Sequence, residues 1–138
     1  MASLPVLVVV SGPMGSGKTT LAHRIAEAVG CPAICRDEIK EGMAHATPGF
    51  APEPGDELTM RTLPVFFGVL ELLLRAGVTT VAEAAFQDKV WRPQLEPLRD
   101  LAQIRIDRVS VGRRGSRWTP RTVIGLAWGR SWRSRPPV

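Results

Sequence analysis

The sequence predicts an α/β domain of three layers, with helices packed on both faces of a parallel sheet, and three observations lead there. Leu4–Val10 is dominated by Val and Leu, the pattern of a strand buried on both faces, as parallel sheets require. Lys18–Val29 then carries Leu21, Ile25 and Val29 at helical spacing. Short apolar runs alternating with helical stretches continue to about Val109, and strands alternating with helices build parallel sheets.

The elements follow in order. Gly12–Gly17 interrupts the first strand, and Gly30 and Pro32 stop the first helix. Ala33–Cys35 is a short second strand, and Asp37 stands at the cap of a helix running to about His45. Thr47–Asp56, with Pro48, Gly49, Pro52, Pro54 and Gly55, is a loop. Glu57–Arg75 is helical, with a kink or break expected near Thr62 because of Pro64. Leu70, Leu72, Leu73 and Leu74 are expected in the core or an interface. Val78–Ala82 reads as a third buried strand, Lys89–Leu101 as a helix containing Pro93 and Pro97, and Gln103–Val109 as a fourth strand. No internal repeat is present.

A chain of 138 residues is expected to form one domain with a real core, and 44% hydrophobic with 22% charged residues suits a soluble globular protein. Val6–Val10 is short and lacks the preceding basic residues of a signal peptide. Leu63–Leu74 is interrupted by Pro64, Gly68 and Glu71 and cannot span a bilayer. A cytoplasmic protein without a membrane partner is the expectation. Cys31 and Cys35 form a single C-x3-C pair with no second pair, so they are read as ordinary thiols. His23 and His45 have no ligand-spaced companions; His23 falls on the outer side of the first helix and receives no role.

One segment carries chemistry outright. Gly12-Pro13-Met14-Gly15-Ser16-Gly17-Lys18-Thr19 satisfies G-x-x-x-x-G-K-[ST] at every fixed position. Average residue frequencies give such a match by chance in roughly one chain of this length in two hundred. Glycines let backbone N–H groups converge on phosphate oxygens without Cβ clashes. Lys18 places a point charge at the β and γ phosphates, and the Thr19 hydroxyl completes a magnesium shell. The helix that follows turns its positive end toward the same anion. The loop therefore predicts binding of ATP or GTP with Mg2+. Thr20 has two readings, a contact to the α-phosphate or a helix-surface hydroxyl.

Cys35-Arg36-Asp37-Glu38-Ile39-Lys40 closes the second strand. In a doubly wound sheet that end borders the substrate crevice. An Asp there can take the proton of an attacking hydroxyl, and Arg or Lys nearby can hold charge on the acceptor or the transferring group. The alternative readings are a helix cap for Asp37 and solvated surface charges for Arg36 and Lys40. Glu83 ends the third apolar strand, where a buried acid needs a partner.

The segments GPMGSGKTT, RDEIKEGMAHA and VAEAAF together resemble the P-loop kinases grouped with polynucleotide kinase, zeta-toxin kinases and chloramphenicol phosphotransferase, a pattern shared by small bacterial AAA-type ATP-binding proteins. The resemblance covers about Val6–Ile106. It implies that Asp37 is the general base of an R-D-x-x-R motif, that Lys40 replaces the second Arg by a point charge, and that Glu83 supports Mg2+ or its water or contacts substrate. The fold it implies is a three-layer P-loop NTPase domain, and the similarity to nucleoside-monophosphate-type kinases implies strand order 2-3-1-4 with the phosphate loop after the central first strand.

The remaining segment breaks the pattern. Up to Asp107 the acidic residues outnumber the basic ones by three; from Arg108 onward there are eight Arg and no acid, so the net charge of +5 belongs to the tail. The expected division is a nucleotide-binding domain over residues 1–110 and a basic, poorly ordered tail over 111–138. Its Arg/Gly/Ser/Trp/Pro bias is what GC-rich coding DNA yields out of frame. The alternatives are a basic arm for single-stranded nucleic acid and a divergent lid offering Arg113 or Arg114. Thr122–Trp128 is a candidate fifth, edge strand.

The expected activity is transfer of the γ-phosphoryl group of ATP to a hydroxyl of a small molecule or a nucleic-acid end. The rival is nucleotide binding without catalysis, because lid arginines cannot be picked out in the tail.

Overall fold

The computed structural model describes residues 3–13, 15–53, 55–85 and 93–108. Four strands, β1 (Val6–Ser11), β2 (Ala33–Cys35), β3 (Thr80–Glu83) and β4 (Gln103–Arg108), form one parallel sheet in the order β2-β3-β1-β4. Helices α1 (Lys18–Val29), α2 (Arg36–His45) and α3 (Glu57–Arg75) connect them, with a short 3-10 helix over Glu96–Asp100. The expected fold and strand order are those observed. The candidate fifth strand and the whole of the tail lie outside the described residues.

Strand alternation explains the layers. Successive side chains of a strand point to opposite faces. Leu7 and Val9 join Phe66, Phe67, Leu70, Leu74 and Leu98 in one core cluster, beneath α3. Val8 and Val10 join Leu21, Ala22, Ile25 and Ala26 of α1 in the other. With neither face of β1 exposed, its Val/Leu run needs no polar alternation.

α1 ends as expected: Gly30 adopts φ 80° and donates its N–H to the Ala26 carbonyl at 2.8 Å. The next helix begins two residues earlier than expected, with Cys35 at the cap position and Asp37 inside the first turn. Asp37 is therefore not the cap residue, and its carboxylate is left exposed at the positive end of the helix.

Pro64 does not break α3, which runs as one helix through it. Leu58, Thr62, Phe66, Leu70 and Leu74 are all buried at four-residue spacing, bracketing the proline, while Pro64 itself is exposed. A helical proline costs about 3 kcal/mol, and each fully buried Leu or Phe contributes about 1.5–3 kcal/mol, so burial on both sides outweighs the lost bond. The carbonyl deprived of its donor belongs to Met60, a residue 71% exposed, where water can substitute. Of the leucines expected in the core or an interface, Leu72 is 70% exposed and so is not in the core; it falls off the four-residue stripe.

The helix expected over Lys89–Leu101 shrinks, among the described residues, to the stretch before β4. Pro97 lies at the start of the 3-10 helix, and prolines at 93 and 97 remove donors that an α-helix would need. Residues 86–92 lie outside the described residues.

Candidate functional site

Three strands deliver side chains to one end of the sheet. β1 runs out at Ser11 into the loop Gly12–Gly17, and β2 ends at Cys35 directly opposite Glu83, the last residue of β3. Glu83 is also in register with Val10 of β1. The strand order puts β3 between β1 and β2, so the acid sits between the loop and the Arg36–Asp37 segment.

The loop's shape depends on glycine at two points. Gly15 has φ 73° and Gly17 φ 82°, conformations that side-chain-bearing residues rarely adopt. Ser16 N–H donates to the Pro13 carbonyl at 3.3 Å, closing the turn. Lys18, only 7% exposed, folds its ammonium back onto the Pro13 carbonyl at 3.4 Å. Met14 lies outside the described residues. Gly12 is half-buried, and Thr20, the third residue of α1, is exposed.

Thr19 Oγ1 donates to Glu83 Oε1 at 3.2 Å. Glu83 is 1% exposed, and its Oε2 has no hydrogen-bond partner among the described residues; the same holds for Ser16 Oγ. A buried carboxylate oxygen and a buried hydroxyl without partners cost free energy. A hydrated Mg2+ and phosphate oxygens are the chemical species that would satisfy them, so the residues present fit a magnesium nucleotide. Burial pushes the Glu83 carboxyl above the usual carboxylate range and the Asp37 charge adds to this, while the Thr19 hydroxyl, the Lys18 ammonium and the Cys35 thiol oppose it.

The acceptor-side candidates are spread over the first turns of α2. The Asp37 charge is close enough to act on both Glu83 and Cys35. Arg36 is half-buried, with its Nε lacking a partner among the described residues. Lys40 is drawn away: its Nζ donates to Asp56 Oδ2 at 3.1 Å. Asp56 caps α3, accepting from the Thr59 N–H at 2.8 Å, and also accepts from the Glu53 N–H. Those bonds, led by the one from Thr59 and joined by Lys40, hold its carboxyl well below the usual range.

Two further features were not visible in the sequence. Asp107 of β4 pairs in register with Val10, as Glu83 does from the other side, and burial raises its carboxyl pKa. The signal available for it was an acid near the end of the mixed fourth strand, Gln-Ile-Arg-Ile-Asp-Arg. The second is a meeting of His23, Cys35 and Glu38, whose ligand atoms lie within 4.8 Å of one another. His23 Nε2 is 2.5 Å from Glu38 Oε1 and 3.7 Å from Cys35 Sγ. Burial, then the carboxylates of Glu38 and Glu83, push the Cys35 thiol up to about 12. Spacings of twelve and three residues carry no recognised pattern, because α1 and β2 become neighbours only in the folded sheet.

A parallel sheet of order 2-3-1-4, a glycine loop between the central strand and a helix, and an acid facing that loop define an α/β P-loop domain of the kinase-like type. The chain belongs to the AAA domain family, whose profile matches residues 7–111. No curated protein sequence matches it. Among solved structures, a Chloroflexus aurantiacus protein assigned as a kinase aligns with TM-score 0.68 and 20% identity, over 77% of this chain and 57% of its own. A chain of the Pnkp1/Rnl/Hen1 complex aligns with TM-score 0.65 and 16% identity, over 88% of this chain and 43% of its own. The APS kinase CysC of Mycobacterium tuberculosis aligns with TM-score 0.59 and 16% identity, over 85% of this chain and 83% of its own. At these identities the likeness is one of fold, and this chain spans about half the length of the first two. Among the described residues, no helix is long and apolar enough to cross a membrane.

Proposed function

We propose that this domain binds ATP with Mg2+ and transfers the γ-phosphoryl group to a hydroxyl of a small molecule or a nucleic-acid end. The observation that carries the reading is the Thr19–Glu83 hydrogen bond beside two buried oxygens without partners among the described residues. Bound MgATP would supply the phosphoryl group, with the cation neutralising charge on its oxygens. Gly12, Pro13, Met14, Gly15, Ser16, Gly17, Lys18, Thr19 and Thr20 form the nucleotide site, and Thr19 and Glu83 hold the cation or its water. Lys18 gives up its contact with the Pro13 carbonyl to oppose the phosphates. Asp37 would accept the proton of the acceptor hydroxyl as its oxygen bonds to the γ-phosphorus and the bond from that phosphorus to the β–γ bridging oxygen breaks, with ADP as the leaving group. Arg36 steadies the acceptor or the moving phosphoryl group, and Lys40 joins it by exchanging Asp56 for substrate. A cytoplasmic location fits the use of ATP.

Calorimetric titration with MgATP, run beside phosphate-transfer assays on a panel of hydroxyl acceptors, tests this. Asp37→Asn should keep MgATP affinity and lose transfer. Tight binding by the wild type with no transfer to any acceptor favours the rival, a nucleotide-binding protein without catalysis. The tail composition favours that rival: the candidate lid residues Arg113 and Arg114 stand in an acid-free, aromatic-rich segment unlike a lid helix, and loss of such an arginine can cost ~10³-fold in rate.

A further inference from the structure

We propose that His23, Cys35 and Glu38 form a binding site for a thiophilic divalent cation of the zinc class, separate from the Thr19–Glu83 magnesium position. One ligand comes from each of α1, β2 and α2. Cys35 is the cap residue of α2 and Glu38 stands three residues on, a spacing that brings both side chains to the same side of a first turn. His23 approaches that side from α1, as its two contacts show.

The geometry fits the ion. Zinc bonds of about 2.0–2.1 Å to nitrogen and about 2.3 Å to thiolate sulfur, at a tetrahedral angle, separate the two donors by about 3.6 Å. The structure holds His23 Nε2 and Cys35 Sγ at 3.7 Å. The imidazole and carboxylate, now 2.5 Å apart, need to open to about 3.3 Å for the same coordination. Their side chains are 49% and 46% exposed, so that rotation disturbs little packing and leaves the ion a path from solvent. A set of one nitrogen, one sulfur and one oxygen suits Zn2+ and is wrong for Mg2+, which selects oxygen alone. Water takes the fourth position. The Cys35 proton leaves to solvent as the sulfur binds.

The chain has only two Cys and two His, all before residue 46, which makes the test clean. Co2+ is titrated into the full chain in excess Mg2+, so that the oxygen-only position is already filled, and Zn2+ is then used to displace it. One equivalent of Co2+ should bind, with a thiolate-to-cobalt charge-transfer band and tetrahedral visible bands that Zn2+ removes. Cys35→Ser should abolish the charge-transfer band, whereas Cys31→Ser and His45→Ala should leave it. Because Cys35 is buried, the exposed His23→Ala, checked by circular dichroism, carries the decision: affinity should fall at least about tenfold. Absence of the band at stoichiometric Co2+, its loss in Cys31→Ser, or wild-type affinity in folded His23→Ala overturns the proposal.

Discussion

Thr19 Oγ1 and Glu83 Oε1, sixty-four residues apart, meet at 3.2 Å across the sheet end. The bond joins the first turn of α1 to the last residue of β3, and it fixes where a cation would sit relative to the glycine loop. The remaining Glu83 oxygen and the Ser16 hydroxyl stand within the same buried end of the sheet.

Lys18→Ala should cut MgATP affinity at least about 100-fold while the domain remains folded. Charge-assisted hydrogen bonds are worth about 1.5–3 kcal/mol each, and Lys18 would make more than one to the phosphates. Calorimetry with circular dichroism checks both halves. Unchanged affinity in a folded variant would remove the loop from the site.

Glu83→Gln should weaken Mg2+-dependent nucleotide binding and stabilise the protein without nucleotide at pH 7. The Glu83 carboxyl is raised, chiefly by burial, so the folded state holds its proton more tightly than the unfolded chain does. Its favourable contribution is full below the ordinary Glu range and is lost as pH rises through the raised value. Thermal unfolding should show the variant's advantage at pH 7 shrinking as pH falls toward that range. An advantage independent of pH would contradict it.

Leu70→Ala and Leu72→Ala should differ sharply although they are near neighbours. Leu70 is 0% exposed within the α3 core cluster, and its truncation should cost about 2–5 kcal/mol. Leu72 is 70% exposed, and its truncation should stay within about 0.5 kcal/mol. Denaturant melts on both variants decide this.

Pro64→Ala should stabilise the domain by roughly 1–2 kcal/mol, by restoring a donor to the Met60 carbonyl against a partial loss in unfolded-chain rigidity. Destabilisation would mean that the rigidity Pro64 gives the unfolded chain outweighs the restored hydrogen bond.

Deleting residues 112–138 should change stability by less than about 1 kcal/mol, since the seven Arg it removes, with no acid among them, gain nothing from compaction. A larger loss on truncation, read by chemical denaturation, would make the tail part of the domain and favour a lid bearing Arg113 or Arg114.

The sequence alone determined the phosphate loop, the alternation of strands and helices, and the acid ending β3, because each rests on local rules. A glycine loop must occur in one contiguous segment, and a strand buried on both faces must be apolar throughout. The resemblance supplied the strand order that the register confirms. What the tertiary structure decided were relations between distant segments. Pro64 sits in a continuous helix because the buried stripe on either side outweighs it, a balance invisible until α3 lies on the sheet. The resemblance implied an acceptor-side role for Lys40, yet its ammonium is held at Asp56, sixteen residues on, because the loop after α2 brings the α3 cap back to it. His23, without a companion in the sequence, gains Cys35 and Glu38 only because β2 packs beside α1. Local chemistry is written in adjacent residues; charge pairing and ligand clusters depend on which surfaces the core brings together.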